Sequence, residues 1–494
     1  MLCFLGGVAF LVLGYFTYGR LVERLLGPDD RPTPAMAHPD GVDCVPLPKW
    51  KNQLIQLLNI AGVGPVIGVV LGIKFGKVAL LIIPAGCVLM GAVHDFLAGM
   101  MSIRRGGANL PRLVTEFLGR GYSAVFSWVM VALLLLCVTV FINVPASIVD
   151  SVWLPQLPFF WWAVGAIFVY YVAATLFPID KIIGKVYPAF GALLIVGSLA
   201  IAVSLVISGF RTPEIFGDCA GFAGFQERNP LFPCLFVTIA CGIVSGFHAT
   251  QSPIVARTIR SEREARATFY GMMILEGVIA MIWAAGALAI YNLDAGLVAE
   301  KPAFVLTKIT TRFLGGWMGG LTVMAVVILA VTSGDTALRS SRLSLGEMFR
   351  IDQVPFGRRL ATCVPLIAIV AVLIWWSNIS AKSFNNLWNY FAWGNQVISA
   401  TTLLCGMVWL LRRGRGAKAL VAGVPGAFMT AVVISFILWA SADKGQPWGL
   451  VWTLRNGALV NVGLPIGTSI ALGVTAAVGL VVFLFVRTRA TEGE

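Results

Sequence analysis

Five ionisable residues lie inside stretches that are otherwise apolar enough to cross a bilayer: His94 and Asp95 side by side, His248, Glu276 and Asp335. An imidazole exchanges a proton near neutral pH and a neighbouring carboxylate orients it, so this set is equipped for a proton relay. Holding a charged group at mid-membrane costs roughly 2.5 to 3.5 kcal/mol even on the lower scales, which makes each a functional candidate. The structural counterpart is a hydrogen-bonded histidine or, for Asp95, a carboxylate capped by Arg104 or Arg105. Beside Asp335, the hydroxyls of Thr332, Ser333 and Thr336 offer oxygens of the kind a hard cation such as sodium binds, although Ser and Thr in helices commonly bond to their own backbone. Asn385, Asn386, Trp388, Asn389, Trp393, Asn395 and Gln396 crowd one further apolar segment and read as a cavity wall or as interhelical amide contacts.

What must position these residues is a set of membrane helices. The chain has 494 residues, 58% hydrophobic and 12% charged, too few polar groups to cover a soluble particle of that size. About 20 apolar residues span a hydrocarbon core, and that yardstick gives thirteen segments: 2–20, 51–74, 77–103, 121–149, 159–177, 179–209, 231–256, 266–291, 317–345, 360–376, 384–411, 418–441 and 464–486. Stretches 109–120 and 302–314 are too short or too polar and are expected to lie at the interface. The first segment lacks a basic leader and a small-residue cleavage site and reads as a retained anchor.

The formal charge of +13 is a matter of orientation and not of a nucleic-acid partner. Most Lys and Arg, among them Arg20, Arg24, Arg104, Arg105, Arg257, Arg263, Arg339, Arg342, Arg413 and Arg487, fall on one side of the thirteen segments; Lys74, Lys77, Arg211, Lys301, Lys308 and Lys444 fall on the other. The positive-inside rule then puts the N-terminus outside and the C-terminus in the cytoplasm.

Two segments are interrupted midway, by IAGVGPVIG at 60–68 and by IACGIVSGFHATQSP at 239–253. Gly and Pro there free backbone groups that hydrocarbon cannot satisfy, so a polar function or a close packing seam must occupy each break. Each break opens a set of five segments, 51–209 and 231–411. Five is odd, so the second set enters from the opposite face, the condition for an inverted repeat. The organisation read here is an N-terminal extra helix and loop (1–50), the first repeat (51–209), an external loop (210–230), the second repeat (231–411) and two extra helices (412–494). Half-helix N-termini at such breaks present positive dipole ends to an anion.

Nine cysteines occur without a CxxC or metal-ligand spacing; Cys87, Cys137, Cys241 and Cys405 read as small core residues, and Cys219 with Cys234 is the one pair placed for an external bridge. No Walker A, GxGxxG, HExxH or GxSxG sequence occurs, so no enzyme, resident cofactor or nucleotide-driven pump is expected.

Several passages together resemble one family: HPDGVDCVP at 38–46, IAGVGPVIG, GAVHDF at 91–96, SIRRGG at 102–107, ACGIVSGFHA at 240–249 and LWNYFAWGNQ at 387–396. The chain is similar to the carbon starvation protein A family of peptide and pyruvate transporters, in a compact form. It departs at Val69, where long members tend to carry a second proline, and in ATQSP after His248, where they are richer in Ser, Gly and Thr. The resemblance implies an all-α polytopic protein with the LeuT-like five-plus-five fold of the amino acid, polyamine and organocation superfamily. It also implies import of peptides or pyruvate across an inner membrane during nutrient limitation, with proton coupling for pyruvate.

The expectation is a secondary importer of a small carboxylate-bearing solute, embedded in lipid, that rocks about its two broken helices. Asn59, Gly62, Gly64, Pro65, Cys241, Ser245, Gly246, His248 and Asn389 are expected to line the substrate site. His94, Asp95, Glu276 and Asp335 are expected to handle protons, with Thr332 and Ser333 serving if sodium is the ion. The rivals are a nutrient sensor, for which no loop is long enough to act as an output domain, and a haem protein using His94 and His248 as axial ligands.

Overall fold

The computed structural model describes the chain except residues 153–158, 178, 218–220, 223, 445, 447, 448, 456 and 491–494, and describes no side chains at 63, 151, 152, 179–190, 381, 382 and 384–386. Cys219, with its proposed bridge, and the side chains of Asn385 and Asn386 therefore lie outside the described residues; Cys234 is a free thiol.

The helices that matter are α1 (Leu2–Phe16), α2 (Lys49–Ile60), α3 (Val63–Gly72), α4 (Val78–Ile103), α5 (Leu110–Leu118), α6 (Arg120–Val152), α7 (Phe160–Leu176) and α8 (Ile179–Arg211). They continue with α9 (Ala240–Ile243), α10 (Gly246–Ala256), α11 (Gly271–Leu293), α12 (Pro302–Met348), α13 (Phe356–Ser377), α14 (Ala381–Leu411), α15 (Leu420–Trp439) and α16 (Ile466–Ala490). Among the described residues ten helices are long and apolar enough to cross a membrane, and the α2–α3 pair, bent by 44°, makes an eleventh crossing. The shorter apolar α7 and the segmented stretch 231–256 account for the other two of the thirteen expected segments. Side chains such as Val125, Val169, Val203, Val372 and Val486 stay more than half exposed around the bundle, an apolar surface of the kind a bilayer covers.

Local sequence explains the irregularities. Pro84 inside α4 cannot donate to the carbonyl one turn back, and the helix passes through a wide π turn at Cys87–Gly91 before resuming as Ala92–Ile103. In α12, Gly315 adopts φ 76°, separating the expected interfacial stretch from the crossing that follows it. One element was not foreseen: an antiparallel hairpin of β1 (Trp452–Arg455) and β2 (Ala458–Asn461), with Gly457 at φ 78° before the second strand.

Loops assigned to the same side from charge contact one another. At the basic end, Arg104 pairs with Glu262 at 2.8 Å, Arg263 with Asp30, and Arg413 donates to the carbonyl of Leu26. At the other end, Phe222 donates to Lys74, Asn292 to Ile215, and Lys444 to Trp439.

Also at the basic end, the 38–46 loop is pinned by Asp43, which accepts from Arg339 at 2.9 Å and faces Arg342 at 3.4 Å, both guanidiniums being buried on α12. Burial alone would push the Asp43 carboxyl up, but Arg339, Arg342 and Arg257 together hold it below the usual carboxylate value. Its stabilisation is therefore complete above the ordinary carboxylate pKa and is lost as pH falls through the lower folded value. Asp43→Asn is expected to destabilise the protein at neutral pH by roughly 3 kcal/mol by leaving two buried guanidiniums short of a counter-charge. Thermal melts of the two proteins should converge as the pH is lowered below 4; a constant gap from neutral to acid pH would refute the pairing.

Candidate functional site

The first break follows from IAGVGPVIG. Helix α2 ends at Ile60, Ala61 turns to ψ 45° and Gly62 to ψ −153°, and α3 starts immediately after. Pro65 sits in the first turn of α3, where it has no N–H to lose to the helix, and it cannot donate to the carbonyl of Ala61. Across the bundle, Val244 and Ser245 are both extended (φ −165° and −124°), which separates α9 from α10 in mid-membrane.

The two breaks touch. A Cβ on Gly64 would fall 2.5 Å from both Cβ and Sγ of Cys241, so only glycine fits there. Gly64→Ala is expected to cost about 2 kcal/mol, and most of that should return in the Cys241→Gly background, which removes both opposing atoms. A four-protein thermal-unfolding cycle reads this directly, and strictly additive effects would refute the contact.

Side chains from other helices satisfy the freed backbone. Asn395 of α14 accepts from the Phe247 N–H at 2.7 Å and from the Ser245 hydroxyl at 3.1 Å, while its own amide reaches Sγ of Cys241 at 3.5 Å. It thus caps the N-terminus of α10 from outside the helix. Ser333 of α12 donates to the carbonyl of Leu58 at 3.1 Å, on the last turn of α2. Gly246 completes the seam, because a Cβ there would lie 2.2 Å from the backbone oxygen of Asn395.

The ionisable residues converge beside this seam. Asp95 lies between two histidines: Nδ1 of His94 is 2.8 Å from one carboxylate oxygen and Nδ1 of His248 is 3.1 Å from the other. Nε2 of His248 is 3.6 Å from Oε2 of Glu276. All four side chains are at most 1% exposed. They come from α4, α10 and α11, so three helices meet through one row: His94, Asp95, His248, Glu276.

The hydrogen-bond roles constrain the protons. An ionised carboxylate only accepts, so both Nδ1 atoms carry hydrogen when Asp95 is charged. Nε2 of a neutral His248 is then a bare lone pair facing a carboxyl oxygen. The contact is favourable only if one proton resides in the His248–Glu276 pair, as imidazolium with carboxylate or as imidazole with carboxylic acid. Neither oxygen of Glu276, nor Nε2 of His94, has a hydrogen-bond partner among the described residues. The row is thus a chain of four ionisable groups with two open ends. Because both imidazoles point at one carboxylate, they do not face each other across the gap that a haem would need.

Other expected residues are placed differently. Asp335, 1% exposed, accepts from the Tyr170 hydroxyl of α7 at 2.5 Å and stands apart from the histidine row. Thr332 bonds back to Leu329 and Thr336 to Ser333, the local bonding common in membrane helices. Asn59 is fully buried on the last turn of α2. Asn389 is partly exposed, and it is Asn395, not Asn389, that caps the second break. Two residues were missed: Gln56 and Gln251 are fully buried on α2 and α10, and like Gln396 of the polar stretch on α14 they have amide atoms unpartnered among the described residues. Polar side chains in apolar helices were the available signal.

Comparison with known proteins supplies the context. The sequence pattern of the family described as Carbon starvation protein CstA matches residues 1–176, 156–312 and 295–436. A Haemophilus influenzae protein described as an uncharacterized membrane protein is 40% identical over 343 residues, 59% of this chain and 92% of its own. The Escherichia coli peptide transporter CstA is 24% identical over 553 residues, 85% of this chain and 78% of that protein. The Escherichia coli pyruvate/proton symporter BtsT is 28% identical over 312 residues, covering 51% of this chain and 43% of the symporter. Among solved structures, an Eremococcus coleocola manganese transporter superposes with TM-score 0.55 at 13% identity over 92% of this chain and 98% of its own. MhsT in complex with L-phenylalanine gives 0.54 at 13% identity over 90% and 99%. At these identities the likeness is one of fold, and it is the LeuT fold with its two broken helices.

Proposed function

The chain belongs to the Carbon starvation protein CstA family and is a membrane transporter, and we propose that it imports a small carboxylate-bearing nutrient, pyruvate or a short peptide, together with protons. The observation that carries the proposal is the buried row His94, Asp95, His248, Glu276 set against both helix breaks. A proton entering at Glu276 passes to Nε2 of His248. The resulting imidazolium lies in the first turn of α10, whose N-terminal dipole end favours an anion. Substrate carboxylate and proton therefore stabilise one another at the same place, which is what symport requires. Gly62, Gly64, Pro65, Cys241, Ser245 and Gly246 form the backbone-rich wall of that place, and rocking about the seam exposes it to either face. The reading puts the basic end in the cytoplasm of an inner membrane, with the N-terminus outside.

A sodium-coupled version has one observation in its favour: Ser333 places its hydroxyl on the carbonyl of Leu58 beside the first break, a pair of oxygens suited to a hard cation. Uptake of labelled pyruvate and of a labelled dipeptide into proteoliposomes, under a proton gradient and separately under a sodium gradient, decides between them. Accumulation under the proton gradient is expected. Accumulation under sodium alone would replace the proton reading, and failure of both solutes under both gradients in folded protein would overturn the proposed substrate class.

A further inference from the structure

A groove of about 710 Å³ opens at the basic end between α5, the start of α6 and the end of α12, away from the transport site. Three arginines line it, Arg112, Arg120 and Arg350, all exposed and none with a side-chain hydrogen bond among the described residues. Its two carboxylates are already engaged: Glu116 is held by Arg105 at 2.8 Å, and Glu347 by Arg257 at 3.2 Å and by the Asn109 N–H. Three arginines stand against two carboxylates that other groups already hold, so among the described residues the groove carries an excess of positive charge.

Its position is as informative as its charge. From the groove, α6 presents an apolar stripe outward, with Tyr122 48%, Val125 68% and Trp128 56% exposed, and the Trp128 ring meets Phe349 edge-on at 5.9 Å. Indole rings gather at the headgroup level of bilayers, so the arginines stand at the depth of lipid phosphates. The backbone adds an independent observation. Arg350 has φ 54°, the one non-glycine residue in the left-handed region among those described, in a helix-ending turn closed by Ile351 N–H on the Gly346 carbonyl. That position favours glycine. An arginine there puts up with backbone strain, and strain of this kind is found where a side chain is needed.

We propose that this groove binds the phosphate of an anionic phospholipid, held by Arg112, Arg120 and Arg350, with the acyl chains lying along Tyr122, Val125 and Trp128. The full-length protein, delipidated in detergent, is titrated with phosphatidylglycerol, phosphatidylcholine or inorganic phosphate and read by native mass spectrometry. Wild type should retain phosphatidylglycerol selectively, and affinity should fall about fivefold for each arginine replaced by glutamine. Arg350→Gly separates binding from folding, since it relieves the strained φ: it should melt no lower than wild type in neutral lipid yet bind phosphatidylglycerol more weakly. Equal retention of the two lipids, unchanged affinity in Arg350→Gly or in the triple glutamine variant, or competition by inorganic phosphate at the concentration of the lipid would overturn the assignment.

Discussion

Glu276→Gln is expected to abolish uphill transport while making the protein more stable. The glutamate is fully buried in α11, neither of its oxygens has a hydrogen-bond partner among the described residues, and Nε2 of His248 stands 3.6 Å from one of them. Burying a carboxylate without donors is expensive by several kcal/mol, and an amide of the same shape avoids the charge. Its NH₂ can also donate to the His248 lone pair. Glutamine cannot accept and release a proton, so the accumulation ratio under an imposed gradient should fall to about one, while exchange of labelled for unlabelled substrate continues. A rise in melting temperature with loss of accumulation is the pattern of a group kept for function against stability. A variant that is less stable, or that still accumulates substrate, would show that the pair is structural.

Gly246→Ala should have the largest effect on folding of any single methyl group added at the seam. The new Cβ would stand 2.2 Å from the Asn395 oxygen and 2.5 Å from the Ser399 nitrogen, both backbone atoms of α14 that no rotamer change can move. Separating α10 from α14 would also stretch the Phe247 N–H away from its acceptor, leaving a donor unsatisfied inside the membrane. The expected loss is about 3 kcal/mol or more, seen as a fall in folded yield and melting temperature. Gly165→Ala is the control, because nothing lies within 4 Å of a Cβ there and alanine favours the helix. Equal behaviour of the two variants would remove the seam from the account.

The crossings and both breaks were legible in the sequence because apolar length and the Gly-Pro interruptions are local properties. Gly315 at the end of the interfacial stretch belongs to the same class, as does Gly457 of the hairpin, a local signal that the helical reading passed over. Which ionisable residues meet is a different matter. Asp95, His248 and Glu276 are on three helices, and their convergence depends on packing that no spacing records, whereas Asp335, as polar and as buried, turned to Tyr170 instead. Helical phase decided the amides. Asn389 and Asn395 lie six residues apart, about 120° around the helix, so only one of them can face the break.

The most direct test of coupling is the proton itself. Proteoliposomes loaded with a pH-sensitive dye and given no imposed gradient receive substrate from outside, and the internal pH is followed. The account predicts that wild type acidifies the lumen as substrate enters and that Glu276→Gln and His248→Ala leave it unchanged. Substrate entry in wild type with no change in internal pH would contradict it, and would leave the histidine–carboxylate row as a structural element of a transporter driven by something else.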